Sequence, residues 1–110
     1  MRNQVYFLED DDSGNPASAG SSITNGVHYI SLTCTGIAFS FWIDGVLAIS
    51  NHSLSTIGQK TLVNGWVGAY LGPNTYYFGG KMYENIVYNS SLSDSDRQKI
   101  ETYIKNRYAL

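Results

Sequence analysis

The chain has 110 residues, a net charge of −2 and only 15% charged side chains, against 43% apolar ones. That length predicts one domain with a single modest core, and the apolar share argues against disorder. Positive charge gathers only in the last stretch, at Arg97, Lys99, Lys105 and Arg107, so nucleic acid is not an expected partner. No run of about 18 apolar residues exists, and membrane insertion is not expected either.

In chain order, Val5–Leu8 is the first expected strand, and a polar loop follows from Glu9 through Pro16 and on to Ser22. Val27–Cys34 alternates, with His28, Ile30, Leu32 and Cys34 on one face and Tyr29, Ser31 and Thr33 on the other. Ile37–Ile43 repeats the pattern. It sets Phe39, Phe41 and Ile43 against Ala38, Ser40 and Trp42. Asp44-Gly45 then links this strand to Val46–Ile49. A two-residue Asp-Gly link between alternating strands predicts a hairpin with positive φ at both positions. Asp44 is therefore read as a turn residue. Leu62–Tyr70 and Tyr77–Tyr88 are two further expected strands, the second interrupted at Gly79-Gly80.

Only the end reads as helical. Ser93 is the expected N-cap, Asp94 and Asp96 oppose the helix dipole, and Ile100, Tyr103, Ile104 and Tyr108 form the stripe expected to dock the helix. The expected core comprises Ile30, Leu32, Phe39, Phe41, Ile43, Val67, Phe78, Met82 and Ile86. Cys34 is the lone cysteine, so no intrachain disulfide is available, and it reads as a small apolar side chain.

Several of these stretches resemble one family. Gly26–Thr33 (GVHYISLT) looks like the W-H-H-V-A-L-T strand of laminin-G-like and pentraxin-like domains, and Phe41–Leu47 (FWIDGVL) like their L-Y-V-D-G hairpin. Val67–Tyr70 is similar to their I-G-A strand. Phe78–Asn89 is similar to F-x-G-x-I-x-E-V-x-I-Y-N, and Leu92 onward to the C-terminal helix of bacterial and phage members. The resemblance spans residues 26–108 and implies an all-β, antiparallel concanavalin A-like sandwich with one C-terminal α-helix. Members usually run longer, with more strands ahead of Val27. The expected sandwich is therefore short or partial, one domain over 1–110 that forms the C-terminal part of a larger protein.

That architecture hosts lectins, hydrolases and adhesion modules alike, so function rests on the site. The family's hydrolases carry a Glu-x-Asp-x-(x)-Glu run, and none exists here. His28 and His52 have no serine or cysteine context for nucleophilic catalysis, and no enzyme activity is expected. Asp10 and Asp12, in the acidic loop, are oxygen donors of the kind calcium takes, although the spacing is not that of an EF-hand; no other cofactor is expected. Sugars are held by aromatic faces and by amide or carboxylate hydrogen bonds. Two groups qualify as ligand-binding candidates: Asn74, Tyr76 and Tyr77 on a loop, and Tyr29 with Trp42 as an exposed platform. The rival reading covers the Trp42 face with the helix or a neighbouring chain.

The expected function is a non-catalytic carbohydrate-binding or adhesion module at a cell or virion surface, as in a phage tail fibre or tailspike. Its expected partners are a glycan or surface polysaccharide and further copies of itself, a trimer being favoured. The alternative is a structural module that caps or oligomerises a larger assembly, and the third reading is a glycan hydrolase fragment.

Overall fold

The computed structural model describes residues 4–9, 17–35, 38–53 and 78–110. Five strands and one helix fall within them: β1 (Gln4–Glu9), β2 (Ala17–Ser22), β3 (Ile30–Cys34), β4 (Ala38–Ile43), β5 (Val46–Ser53) and α1 (Asp94–Tyr108). The fold is mostly β and antiparallel, with a single C-terminal helix among the described residues. The contacts divide the chain into two compact units. One joins Met1–Gln59 to Ser90–Leu110 and holds every strand named above together with α1; the other is Lys60–Asn89.

In the first unit, β1 and β2 form a two-stranded antiparallel ribbon, with Gln4 opposite Ser22 and Glu9 opposite Ala17. The sequence predicts a loop over Ala17–Ser22, where the structure has a strand. Alanine, serine and glycine carry little strand preference of their own, and it is cross-strand pairing with β1 that makes the segment a strand.

The three-stranded sheet runs β3-β4-β5. Its register sets Ile30 against Ile43, Ser31 against Trp42, Leu32 against Phe41 and Cys34 against Phe39. Directly opposed residues share a face, so Phe39 and Phe41 lie with Leu32 and Cys34, while Ser31 and Trp42 lie on the other side. The hairpin β4–β5 turns at Asp44 (φ 53°) and Gly45 (φ 80°), both positive as the Asp-Gly link predicts. Opposite the six residues of β4, β5 has eight. Two register shifts, between Phe39 and Phe41 and between Phe41 and Trp42, absorb the difference.

Phe39 and Phe41 are fully buried, with Cys34, Ile43, Ala48 and Ile49 packed around them. Their rings are nearly parallel at 6.3 Å between centroids, and His52 tilts against Phe39 at 5.2 Å. The rest of the expected core is narrower than the alternation implied. Ile30 and Leu32 are about half exposed (49% and 47%), because they sit on β3, at one side of the three-stranded sheet. Phe78, Met82 and Ile86 are exposed as well. Residues 81–88 join no strand ladder, contrary to the expected strand Tyr77–Tyr88. Alternation alone does not make a strand; the backbone needs a partner. The chain bends at Gly79-Gly80, where the Phe78 ring folds back so closely that a Cβ on Gly80 would lie 3.0 Å from it. Val67 and the expected strand Leu62–Tyr70 lie outside the described residues.

The helix begins as expected. Ser93 caps it by accepting from the Asp96 backbone N–H (3.2 Å), and Asp94 and Asp96 occupy the first turn. The bonds from Lys99 and then Ser93 hold the Asp96 carboxyl below its ordinary range. Ala109 ends the helix in the left-handed region (φ 53°), its N–H bonded to the Lys105 carbonyl.

Candidate functional site

The helix meets the sheet through charge. The two residues of α1 that are most buried are Arg97 and Glu101, each 7% exposed. Four residues apart, they share one face with Ile104 and Tyr108, both half-buried, whereas Tyr103 of the expected apolar stripe points away and is 45% exposed. The Arg97 guanidinium lies over the Trp42 ring, 3.9 Å from its centroid, and donates to Glu101 Oε1 at 2.6 Å. The Ser31 hydroxyl donates to the same oxygen at 2.8 Å. The cross-strand pair Ser31–Trp42 thus receives the pair Arg97–Glu101. Arg97 Nε is buried without a hydrogen-bond partner, 3.7 Å from Asp94 Oδ1.

Beside this contact stands the tip of the hairpin. Asp44 donates its backbone N–H to the Tyr29 carbonyl (2.9 Å) and accepts from the Tyr29 N–H at Oδ1 (3.2 Å). The side chain of Tyr29 passes over Gly45, where a Cβ would lie 3.1 Å from Tyr29 Oη and 3.8 Å from Glu101 Oε2. Tyr29 Oη and Glu101 Oε2 therefore both lie close to the Gly45 backbone. Burial, then the negative charges of Glu101 and Asp44, push the Tyr29 phenol above its usual range.

Thr24, His28 and Asp44 line up in the order of a hydroxyl, an imidazole and a carboxylate. His28 Nδ1 lies 2.6 Å from Asp44 Oδ2, and Nε2 lies 3.3 Å from the Thr24 hydroxyl. Nε2 is, however, closer to the Thr24 carbonyl, at 2.9 Å. A carbonyl and a carboxylate both only accept, so each ring nitrogen must carry a proton. The ring is then an imidazolium clamp and not a base poised to activate Thr24. Its pKa is raised accordingly, first by the bond to Asp44.

Of the residues expected to bind ligand, the structure brings Tyr29 and Trp42 to one side of the sheet. The open aromatic platform expected there is corrected by α1, whose Arg97 occupies one face of the Trp42 ring. Asn74, Tyr76, Tyr77, Asp10 and Asp12 lie outside the described residues. Among the described residues, no group of three or more histidine, cysteine or acidic side chains is placed to hold a metal ion. Cys34 is a free thiol, half-buried against the phenylalanines. Sequence reasoning missed Arg97, Ser31 and Glu101. The signal available was the spacing 97, 101, 104, 108, one helical face whose first two positions are charged.

No family model matches the chain, and no curated protein matches it. Among solved structures it is similar to an S-layer domain-containing protein (residues 221–444) from Clostridium thermocellum ATCC 27405, with a TM-score of 0.56 and 18% identity. The likeness covers 89% of this chain and 51% of that one, so the chain spans about half the length of the protein it matches. At that identity the likeness concerns the fold. Among the described residues, no helix is long and apolar enough to cross a membrane.

Proposed function

We propose that this chain is a non-catalytic carbohydrate-binding or adhesion module of a cell or virion surface, built as a short concanavalin A-like β-sandwich. The observation that carries the reading is the meeting of Tyr29 and Glu101 at the hairpin tip. There an aromatic side chain with a polar tip, Tyr29, and a carboxylate oxygen, Glu101 Oε2, meet over a glycine. Side chains of these two kinds hold sugars by ring contact and by accepting hydroxyl hydrogens. The carboxylates nearby are tied down, Glu101 by Arg97 and Ser31 and Asp44 by His28. Fixed acceptors suit recognition better than proton transfer, which supports binding over a hydrolase fragment. The likeness to an S-layer domain-containing protein supports a surface setting.

Affinity electrophoresis of the folded chain in gels cast with neutral polysaccharides tests this reading. Retardation by at least one polysaccharide is expected, and unchanged migration in all of them counts against it.

A second reading, a capping or oligomerising module, draws support from Ile30, Leu32 and Val46. These residues are 49%, 47% and 70% exposed, and their register places them on the same face as Phe41. Apolar side chains left bare on a sheet face often mark an interface. The two readings are compatible, since they use opposite faces of the sheet.

A further inference from the structure

The connection between β2 and β3 is closed by a side chain. β2 ends at Ser22 and β3 begins at Ile30. Between them His28 reaches back four residues, and its Nε2 lies 2.9 Å from the Thr24 carbonyl oxygen and 3.3 Å from the Thr24 hydroxyl. The other ring nitrogen, Nδ1, lies 2.6 Å from Asp44 Oδ2 at the hairpin tip. Gly26 stands in the middle of the loop so closed, with a φ of 135°, a setting that side chains rarely adopt. The imidazole therefore ties the connection to itself and to the β4–β5 hairpin.

This arrangement suits one protonation state. With both nitrogens protonated, each N–H finds an acceptor. Loss of one proton to solvent leaves a ring with one donor and one acceptor. The Asp44 carboxylate keeps the remaining proton on Nδ1, as a carboxylate does for an imidazole that it orients. Nε2 then presents a lone pair to the Thr24 carbonyl oxygen, two acceptors at 2.9 Å with no hydrogen between them. The Thr24 hydroxyl, on the same residue, is the donor within reach. Among the described residues, Asp44 is the charged group in contact with the ring. The neighbouring strands β2, β3 and β4 carry no charged residue, and His52 of β5 packs against Phe39. From α1, Glu101 approaches Gly45 and is paired with Arg97.

We infer that the Thr24–His28 segment is a proton-driven switch, in which loss of the Nε2 proton puts the Thr24 hydroxyl in place of the Thr24 carbonyl against His28 Nε2 and turns the segment at Gly26. The switch does not depend on the carbohydrate-binding reading. It acts, however, on the backbone that carries Tyr29, because the same Asp44 carboxylate accepts from the Tyr29 N–H.

The test is two-dimensional ¹H–¹⁵N NMR of the imidazole and of the backbone amides, followed on the whole chain from about pH 5 to 9. On the acid side both His28 nitrogens should carry protons. On the alkaline side Nδ1 alone should, and the Asn25 and Gly26 amides should move with the same midpoint. Thr24→Val removes the hydroxyl and keeps the carbonyl. Because the hydroxyl serves the neutral ring, its loss should shift the midpoint upward. His28→Gln should leave the Asn25 and Gly26 amides without the transition. A neutral ring protonated on Nε2, a midpoint unchanged or lowered in Thr24→Val, or an amide transition that survives in His28→Gln would each overturn the switch. Should either variant fail to fold, the tautomer of the neutral ring in the wild type decides alone.

Discussion

Gly45 answers two demands at once. Its φ of 80° belongs to the left-handed region, and a Cβ there would press on Tyr29 Oη at 3.1 Å. Gly45→Ala should therefore lower stability by about 1–2 kcal/mol, from backbone strain alone in the simplest case. Chemical denaturation checks the figure, and a variant as stable as the parent would mean that the hairpin relaxes freely. His28 carries a dependence on pH. Its pKa lies above the ordinary 6.5, chiefly through the bond to Asp44, helped by the Thr24 carbonyl. The clamp therefore contributes its full stabilisation below about pH 6.5, the unfolded value. That contribution fades as pH rises through the higher folded value. Melting curves from pH 5 to 9 should show a decline on the alkaline side of 6.5 that His28→Gln lacks; parallel curves for the two proteins would remove His28 as its source.

At the scale of elements, the joint between α1 and the sheet is an ion pair on an aromatic ring. Arg97 and Glu101 side chains are 8% and 9% exposed and 2.6 Å apart. Removing one partner of such a pair leaves the other buried and uncompensated, so Arg97→Ala should cost about 3–5 kcal/mol. Arg97→Met together with Glu101→Leu should recover most of that loss, because apolar groups of similar volume need no partner. A mild single variant, or a double variant no better than the single one, would show that the helix is held elsewhere.

This joint also shows what was legible in the sequence. The hairpin, the Phe39/Phe41 face, the Ser93 cap and the extent of α1 follow from local rules of turn, alternation and capping, and each is where the pattern put it. β2 was not legible, because its alanines and serines take their form from β1. Of the stripe expected to dock α1, Ile100, Ile104 and Tyr108 are half-buried, but the two residues that pack deepest are the charged Arg97 and Glu101. Their burial depends on Trp42 and Ser31, more than fifty residues away in the chain. Of the site, Tyr29 and Trp42 could be named from alternation, but Glu101 could be found only once the helix was placed on the sheet.

For the whole molecule, the two faces of the three-stranded sheet carry different expectations. The face of Phe41 leaves Ile30, Leu32 and Val46 exposed, and burial of that surface against further copies of the chain is the expected use. Sedimentation at micromolar concentration should report a species heavier than the 12.2 kDa chain, with a trimer favoured. A monomer with a cooperative melt would remove the oligomer and leave the opposite face unaffected. That opposite face carries the central claim, that a carboxylate fixed by the helix and a tyrosine from the sheet build a sugar site at the hairpin tip. A glycan array probed with the folded wild-type chain tests it most directly. Signals for at least one glycan are expected, whereas an array blank throughout, from protein shown to be folded, would contradict it.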